Sequence, residues 1–254
     1  MQPEPITVAT VSKRSTTIER CLSAVACQDY AGDIEHIVLV DDLDAVFDAW
    51  TRHQARHDFS VEIVRQSGPV RAWQSRVADL RNCAVAKANH PFIAFLDDDN
   101  AWEPDHLSSL WQCMSSCGQP HAVHSHRKIF ENDGQPFLRR ELPWGHSAEA
   151  RREVFDDYVS RGIMFGGSNV FRDKVGMPHT SVDMGAWLLP RNLLQSCPLD
   201  AENPGRHDST FLPVGEDEIL ERDLVAHGVA ISCTGRATLH YFLGGSTNLQ
   251  LESG

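Results

Sequence analysis

No stretch of the 254 residues approaches the roughly 20 consecutive apolar residues that cross a bilayer, so no integral membrane segment is expected. Positive charge is also in short supply: 23 Lys and Arg stand against 35 Asp and Glu, a formal net charge of −12. A nucleic-acid binder needs clustered Lys and Arg against phosphates, so that class is disfavoured. An anionic ligand would instead be met by local devices such as a metal ion, an isolated arginine or a helix N-terminus. Internal repeats and low-complexity tracts are absent, and no Gly-rich phosphate loop follows the first apolar run. That run, in MQPEPITVATVS, has no basic segment before it and reads as a first strand rather than a secretion signal. The seven cysteines are scattered and odd in number, which suits reduced thiols and a cytoplasmic location.

What remains is ordinary for a globular protein: 41% hydrophobic and 23% charged residues. The length allows one large domain or two small ones. Short apolar runs alternate with helical patterns through the first half. Ile6–Val11, Ile34–Val40, Val61–Val64 and Phe92–Leu96 read as strands. Thr16 with Glu19 reads as a capping box ahead of Ile18, Leu22 and Val25. Val77, Leu80, Ala84 and Ala88 mark a second helix, and Pro104 opens a third. Such alternation predicts a mainly parallel sheet covered on both faces, with ligands bound beyond the carboxyl ends of its strands. Thr10–Lys13, Asp41-Asp42 and Asp97–Asp99 all fall at such ends. The second half is less regular. Glu141–Ala150 and Asn203–Pro213 read as loops, Gly162–Phe171 and Val182–Leu189 as strands, and Glu216–His227 as a helix. Val229–Ser232 and Ala237–Phe242 read as two closing strands. A soft boundary near residue 125 divides one compact unit into residues 1–125 and 126–254.

The segment FLDDDNAWEPDHL carries the strongest chemistry. Three adjacent carboxylates at a strand end repel one another unless a cation or solvent compensates. Asp97 and Asp99 can offer oxygens to a hard divalent ion, and Mg2+ is characteristically held by one or two carboxylates plus substrate phosphates. The plainer alternative is a solvated acidic turn ahead of the next helix. Gly215-Glu216-Asp217 opens a helical pattern, where a carboxylate either complements the helix dipole or, facing a cleft, acts as a general base.

These segments together resemble the inverting family 2 glycosyltransferases of the GT-A fold. The resemblance runs through ITVATVSKRS, ERCLSAVACQDY and IEHIVLVDD, peaks in RNCAVAKANHPFIAFLDDDNAWEPDHL and returns at GEDEILERDLVAHG. It implies a Rossmann-like α/β fold, a mixed but mainly parallel sheet flanked by helices. By this resemblance Asp42 contacts the base of a nucleotide donor and Thr10 lines the same base. Arg81 and Asn82 lie near the nucleotide, and Asp98 lies near the ribose. Asp99, with Asp97, binds Mg2+ or Mn2+, and Asp217 is the catalytic base, with Glu216 beside it. The first half then holds the donor, while residues 126–254 hold the acceptor and supply the base. Ser12-Lys13-Arg14 stands where many members carry an aromatic or Asn, which leaves a UDP-sugar as a preference. Leu243 stands where many members carry His before a Gly-Gly-Ser-like run. The nearest histidine, His240, is a candidate phosphate or metal contact.

Transfer from a nucleotide sugar leaves negative charge on the diphosphate, which a divalent ion stabilises. The acceptor hydroxyl is a poor nucleophile, and a carboxylate within reach takes its proton. The expectation is therefore a metal-dependent, inverting transfer of a hexose-type sugar onto a hydroxyl of a soluble small molecule or saccharide. Trp144 and Gly185 are candidates for the acceptor side. Competing readings are a sugar-nucleotide-binding protein with weak catalysis and an aspartyl-phosphate-type phosphatase using Asp97 and Asp99. A string of Cys113, Cys117, His121, His124 and His126 resembles a structural metal set, but its spacing fits no standard pattern.

Overall fold

The structure is a computed structural model that describes residues 2–12, 17–41, 60–64, 73–116, 121–145, 147–177, 180–200 and 215–244. Among these described residues nine strands form one sheet: β1 (Ile6–Ser12), β2 (Ile34–Asp41), β3 (Ser60–Val64), β4 (Phe92–Phe95), β5 (Ala101–Trp102), β6 (Ala122–Phe130), β7 (Val170–Phe171), β8 (Trp187–Pro190) and β9 (Ile231–Phe242). Their order is β3-β2-β1-β4-β8-β6-β9-β5, with β7 paired to β6. The first four strands are parallel, and β8 then pairs antiparallel with both β4 and β6.

Every residue of β1 is buried, as befits a central parallel strand with helices on both faces. The first helix, α1 (Ile18–Ala26), covers the sheet with Ile18, Cys21, Leu22 and Val25, one stripe at helical spacing. Each large apolar side chain so buried is worth roughly 1.5–3 kcal/mol. Helices α2 (Trp73–Lys87) and α3 (His106–Ser116) complete the first half. A large core surrounds the sheet, and a smaller second core gathers Trp144, Phe155, Tyr158, Ile163 and Phe171. The boundary drawn at residue 125 falls inside β6, so the two halves share a strand rather than meeting at a linker.

Several local expectations are corrected. Helix α1 has Thr17 as its N-cap with no side-chain cap, and Thr16 lies outside the described residues. Residues 148–150, read as loop, begin helix α4 (Ala148–Ser160), capped by Ser147, whose hydroxyl accepts from the Ala150 N–H at 3.1 Å. Its buried face is carried by Phe155 and Tyr158 alone, too sparse a pattern to announce a helix. Of Gly162–Phe171 only Val170–Phe171 is a strand, because Gly162 and Gly167 take positive φ and break the extended run. Asp183 caps a 3-10 turn, Met184–Ala186, so the strand expected from Val182 begins at Trp187. The two closing strands are one, β9, interrupted by a bulge. Asn203–Pro213 lies outside the described residues. Helix α5 (Arg191–Ser196) follows β8, and helix α6 (Glu216–Ala226) precedes β9.

Candidate active site

The acidic triplet sits where β4 leaves the sheet. Leu96 still donates to the Ala9 carbonyl of β1, at 3.1 Å, and the chain then turns, with the Asn100 N–H on the Asp97 carbonyl at 3.1 Å. Alternation does the rest. Asp98 is buried and accepts a hydrogen bond from Ser12 at the end of β1, while Asp97 and Asp99 stay partly open. Arg20 of α1 donates to the Asp99 carbonyl at 3.0 Å and lies 3.6 Å over the Phe242 ring. Asn100 accepts from the Phe242 N–H at 3.0 Å, tying the turn to the end of β9.

Arg81 joins this turn to α6. It is buried on α2, bonds Asp97 at 2.5 Å and bonds Glu216 on its other side. Burial alone would pull its proton affinity down, but Asp97 and Glu216 together hold it above the ordinary arginine value. It is therefore a fixed cation between two motifs that lie far apart in the chain.

Asp217 follows Glu216 in the first turn of α6. Burial raises its pKa above the ordinary carboxylate value and the Glu216 charge adds to that, while Ser181, Arg81 and the Glu218 N–H favour the ionised form. The Glu218 N–H lies 2.9 Å from its Oδ1. Gly215 has an ordinary φ of −81°, so its need for glycine is one of space. A Cβ there would meet Asp217 Oδ1 at 2.7 Å.

Two further carboxylates lie close by: Asp183, two positions before the acceptor-side candidate Gly185 and in the same expected segment, and Glu221, which was not marked as a site residue in the sequence. Asp183 is pushed up to about 6 by burial, opposed by Arg127 and reinforced by the charges of Asp97 and Asp217. Its carboxylate accepts from the Gly185 N–H at 2.8 Å and pairs with Arg127 at 3.3 Å. Glu221, one helical turn after Asp217, is buried and accepts from the N–H groups of Gly176, at 2.6 Å, and Val182, at 2.9 Å. It straps the segment that carries Ser181 and Asp183 to the helix that carries Asp217. The i, i+4 spacing of Asp217 and Glu221 was the available signal.

The other candidates are placed elsewhere. Thr10 is fully buried, its hydroxyl against His36 Nε2 at 3.0 Å and Cys21 Sγ at 3.3 Å. Asn82 clamps the Leu199 peptide with both ends of its amide, at 2.8 and 2.9 Å. His240 bonds Glu103 at 2.8 Å, and Lys128 bonds the same carboxylate at 2.5 Å. Trp144 is buried in the second core against Phe171 and Tyr241, so an acceptor could stack on it only by displacing that packing. Gly185 lies in the 3-10 turn, and its carbonyl accepts from the Trp102 indole at 2.8 Å. Asp42 lies outside the described residues. No helix among the described residues is long and apolar enough to cross a membrane.

A family model described as "Glycosyl transferase family 2" matches residues 7–176. No curated protein sequence matches the chain. Among solved structures, S. aureus TarS 1-349 is similar with a TM-score of 0.58 and 14% identity, over 93% of this chain and 60% of that one. The same fragment in complex with UDP-GlcNAc has a TM-score of 0.57 and 13% identity, over 97% and 60%. Its complex with UDP has a TM-score of 0.57 and 12% identity, over 95% and 61%. The likeness is one of fold, and the chain spans about three fifths of the length of these structures.

Proposed function

The chain belongs to glycosyl transferase family 2, and from that premise we propose that it transfers a hexose-type sugar from a UDP-sugar to a hydroxyl of a soluble small molecule or saccharide, with inversion and with Asp217 as general base. The observation that carries this reading is the Arg81 bridge. One buried cation binds Asp97 of the acidic turn and Glu216 at the start of α6, which supports reading the two motifs as parts of one site. The TarS fragment with UDP-GlcNAc or UDP bound supports the choice of nucleotide.

Asp97 and Asp99 fit a hard divalent ion: both are carboxylates and both are partly open, whereas Asp98 between them is buried. When bound, Mg2+ or Mn2+ neutralises charge on the departing diphosphate. The protein's own groups do the rest. Asp217 takes the acceptor proton, its raised affinity suiting a base at neutral pH. Arg81 keeps Glu216 and Asp97 in place. Asp98 and Ser12 tie the end of β1 to the acidic turn. Glu221 and Asp183 shape the acceptor side of the base.

A panel of nucleotide sugars, each with and without Mn2+ or Mg2+, tests this by thermal shift, sugar transfer and product stereochemistry. A UDP-sugar with metal should raise the melting temperature through mass action, and Asp99→Asn should remove most of that shift. Asp217→Asn should keep the shift and lose about two to four orders of magnitude in transfer rate. Full transfer in chelator, a retained anomeric configuration, or a near wild-type rate in Asp217→Asn would overturn the metal, the single displacement or the base respectively. Donor binding without transfer to any hydroxyl acceptor would point to the weakly catalytic binding protein.

A further inference from the structure

On the face of the sheet at β6 and β9, away from the acidic turn, three metal-binding side chains converge. His124 and His126 are two apart on β6 and so share a face. Cys233 on β9 is the register partner of His124. Between His124 and His126 the ladder slips: His126 pairs with Ala237, so β9 spends four steps where β6 takes two. Gly235, with φ 72°, lets the chain make that bulge. The bulge brings Cys233 Sγ to 3.7 Å from the His126 ring nitrogens. One ligand atom from each of the three residues lies within 4.8 Å of the others.

The chemistry of the donors matches the geometry. Tetrahedral zinc, with bonds of about 2.0–2.3 Å, spaces its N and S ligands about 3.5 Å apart, so only modest side-chain rotation separates the cluster from coordination. The Nδ1–H of His124 donates to the Ser125 carbonyl at 3.0 Å, which leaves the lone pair on Nε2. The His126 ring is held by the Asp173 backbone. Metal-bound histidines are characteristically oriented by such bonds to carbonyls. The three residues line a cleft of about 530 Å³, whose charged lining is Arg161, Arg172, Asp173 and Lys174.

We propose that His124, His126 and Cys233 form a Zn2+ site, three protein ligands with the fourth position open to this cleft. The site lies outside the donor machinery. It cross-links β6 to β9 at their bulge, the strands that carry Arg127 and His240.

The test uses the full chain with ZnCl2 and CoCl2. After chelation and dialysis, wild type should rebind one zinc per chain by elemental analysis, and zinc should raise its melting temperature. Co2+ should give tetrahedral d–d bands and a thiolate charge-transfer band. His124 is buried, and its removal risks the fold, so the variants are the more accessible Cys233→Ser and His126→Gln. Each removes a direct ligand and should lose more than the roughly 10–100-fold in zinc affinity that losing an outer-shell partner costs, and Cys233→Ser should lose the charge-transfer band. Asp99→Asn should retain both zinc and band, which separates this site from the donor metal. Zinc stoichiometry unchanged in Cys233→Ser, loss of zinc in Asp99→Asn, or no zinc bound by wild type would each overturn the proposal.

Discussion

Two buried arginines organise this molecule, and each is ringed by carboxylates. Arg81 holds Asp97 and Glu216, whose side chains are 34% and 13% exposed. Arg127 holds Asp173 and Asp183, whose side chains are 0% and 9% exposed. Arg127 is also roofed by the rings of Phe171, Trp144 and Tyr241, at 4.9, 5.4 and 5.6 Å. The same ion chemistry therefore serves two ends. At the carboxyl ends of the strands it leaves oxygens that a ligand can reach. Inside the second core it removes them from solvent and converts them into scaffold. Asp183 stands between the two, paired with Arg127 yet sensing Asp97 and Asp217. In the proposed reaction the sealed cluster would set the acceptor side of the base, and the open one the donor side.

The sealed cluster should break hardest. Arg127→Met keeps much of the side-chain volume but leaves Asp173 and Asp183 without their cation. Removing one partner of a buried ion pair costs about 3–5 kcal/mol. Urea unfolding should show a loss of that order, and activity should fall with it because Asp183 loses its anchor. A loss below about 1 kcal/mol, the scale of a surface pair, would make Arg127 no different from a surface pair. Arg81→Lys probes the open cluster. A lysine presents one compact ammonium where the guanidinium forks between two carboxylates. Losing one charge-assisted hydrogen bond, about 1.5–3 kcal/mol, should slow transfer roughly ten- to a hundredfold. The melting temperature should fall less than in Arg127→Met, because water can reach Asp97. Equal stability losses in the two variants would erase the distinction.

Much of the open cluster was legible in the sequence because strand-end chemistry is local. The apolar run Phe92–Leu96 ending in three aspartates announces both the strand and its exit. Gly215-Glu216-Asp217 announces a helix start. The family match and the similarity to TarS agree with the mainly parallel α/β sheet expected from the alternating pattern. The sealed cluster was not legible, because Arg127, Asp173 and Asp183 come from three segments with no shared spacing. Thr10 shows a related limit. The family resemblance implied a base contact, but Thr10 lies in a strand buried on both faces, with its hydroxyl beside His36 and Cys21. Trp144 reads as a polar-loop residue only until the second core is seen to close over it. Asn82 stands next to Arg81 and shares its helix, yet the helical turn points it at Leu199 instead.

The pH profile sharpens the comparison without a structural lesion. Asp217 must be ionised to accept a proton, and burial followed by the Glu216 charge raises its pKa. Transfer should therefore fall as pH drops through that raised value, about tenfold per unit once below it. The acid limb should lie above the range of an ordinary aspartate. Glu216→Gln removes a negative neighbour and should move the limb to lower pH. A limb that stays put in Glu216→Gln would assign the titration to another group, with Asp183 the first to examine.

The smallest expected effect isolates the placement of the base from its charge. Gly215 is the N-cap of α6, and its backbone conformation suits any residue. Gly215→Ala should accordingly fold, with a stability loss of about 1 kcal/mol or less at a cap position. Its new methyl, however, would sit 2.7 Å from Asp217 Oδ1 and 3.8 Å from Cγ. Of the two, the carboxylate is the movable one, so it rotates away by a few tenths of an ångström. A displacement of 1 Å can cost about a hundredfold in rate, and a smaller one should cost about three- to tenfold. The loss should appear in kcat while the donor constant holds, since nothing that touches the nucleotide has changed. A raised donor constant with unchanged kcat would mean that the start of α6 serves the open cluster through Glu216 and Arg81 rather than through the base.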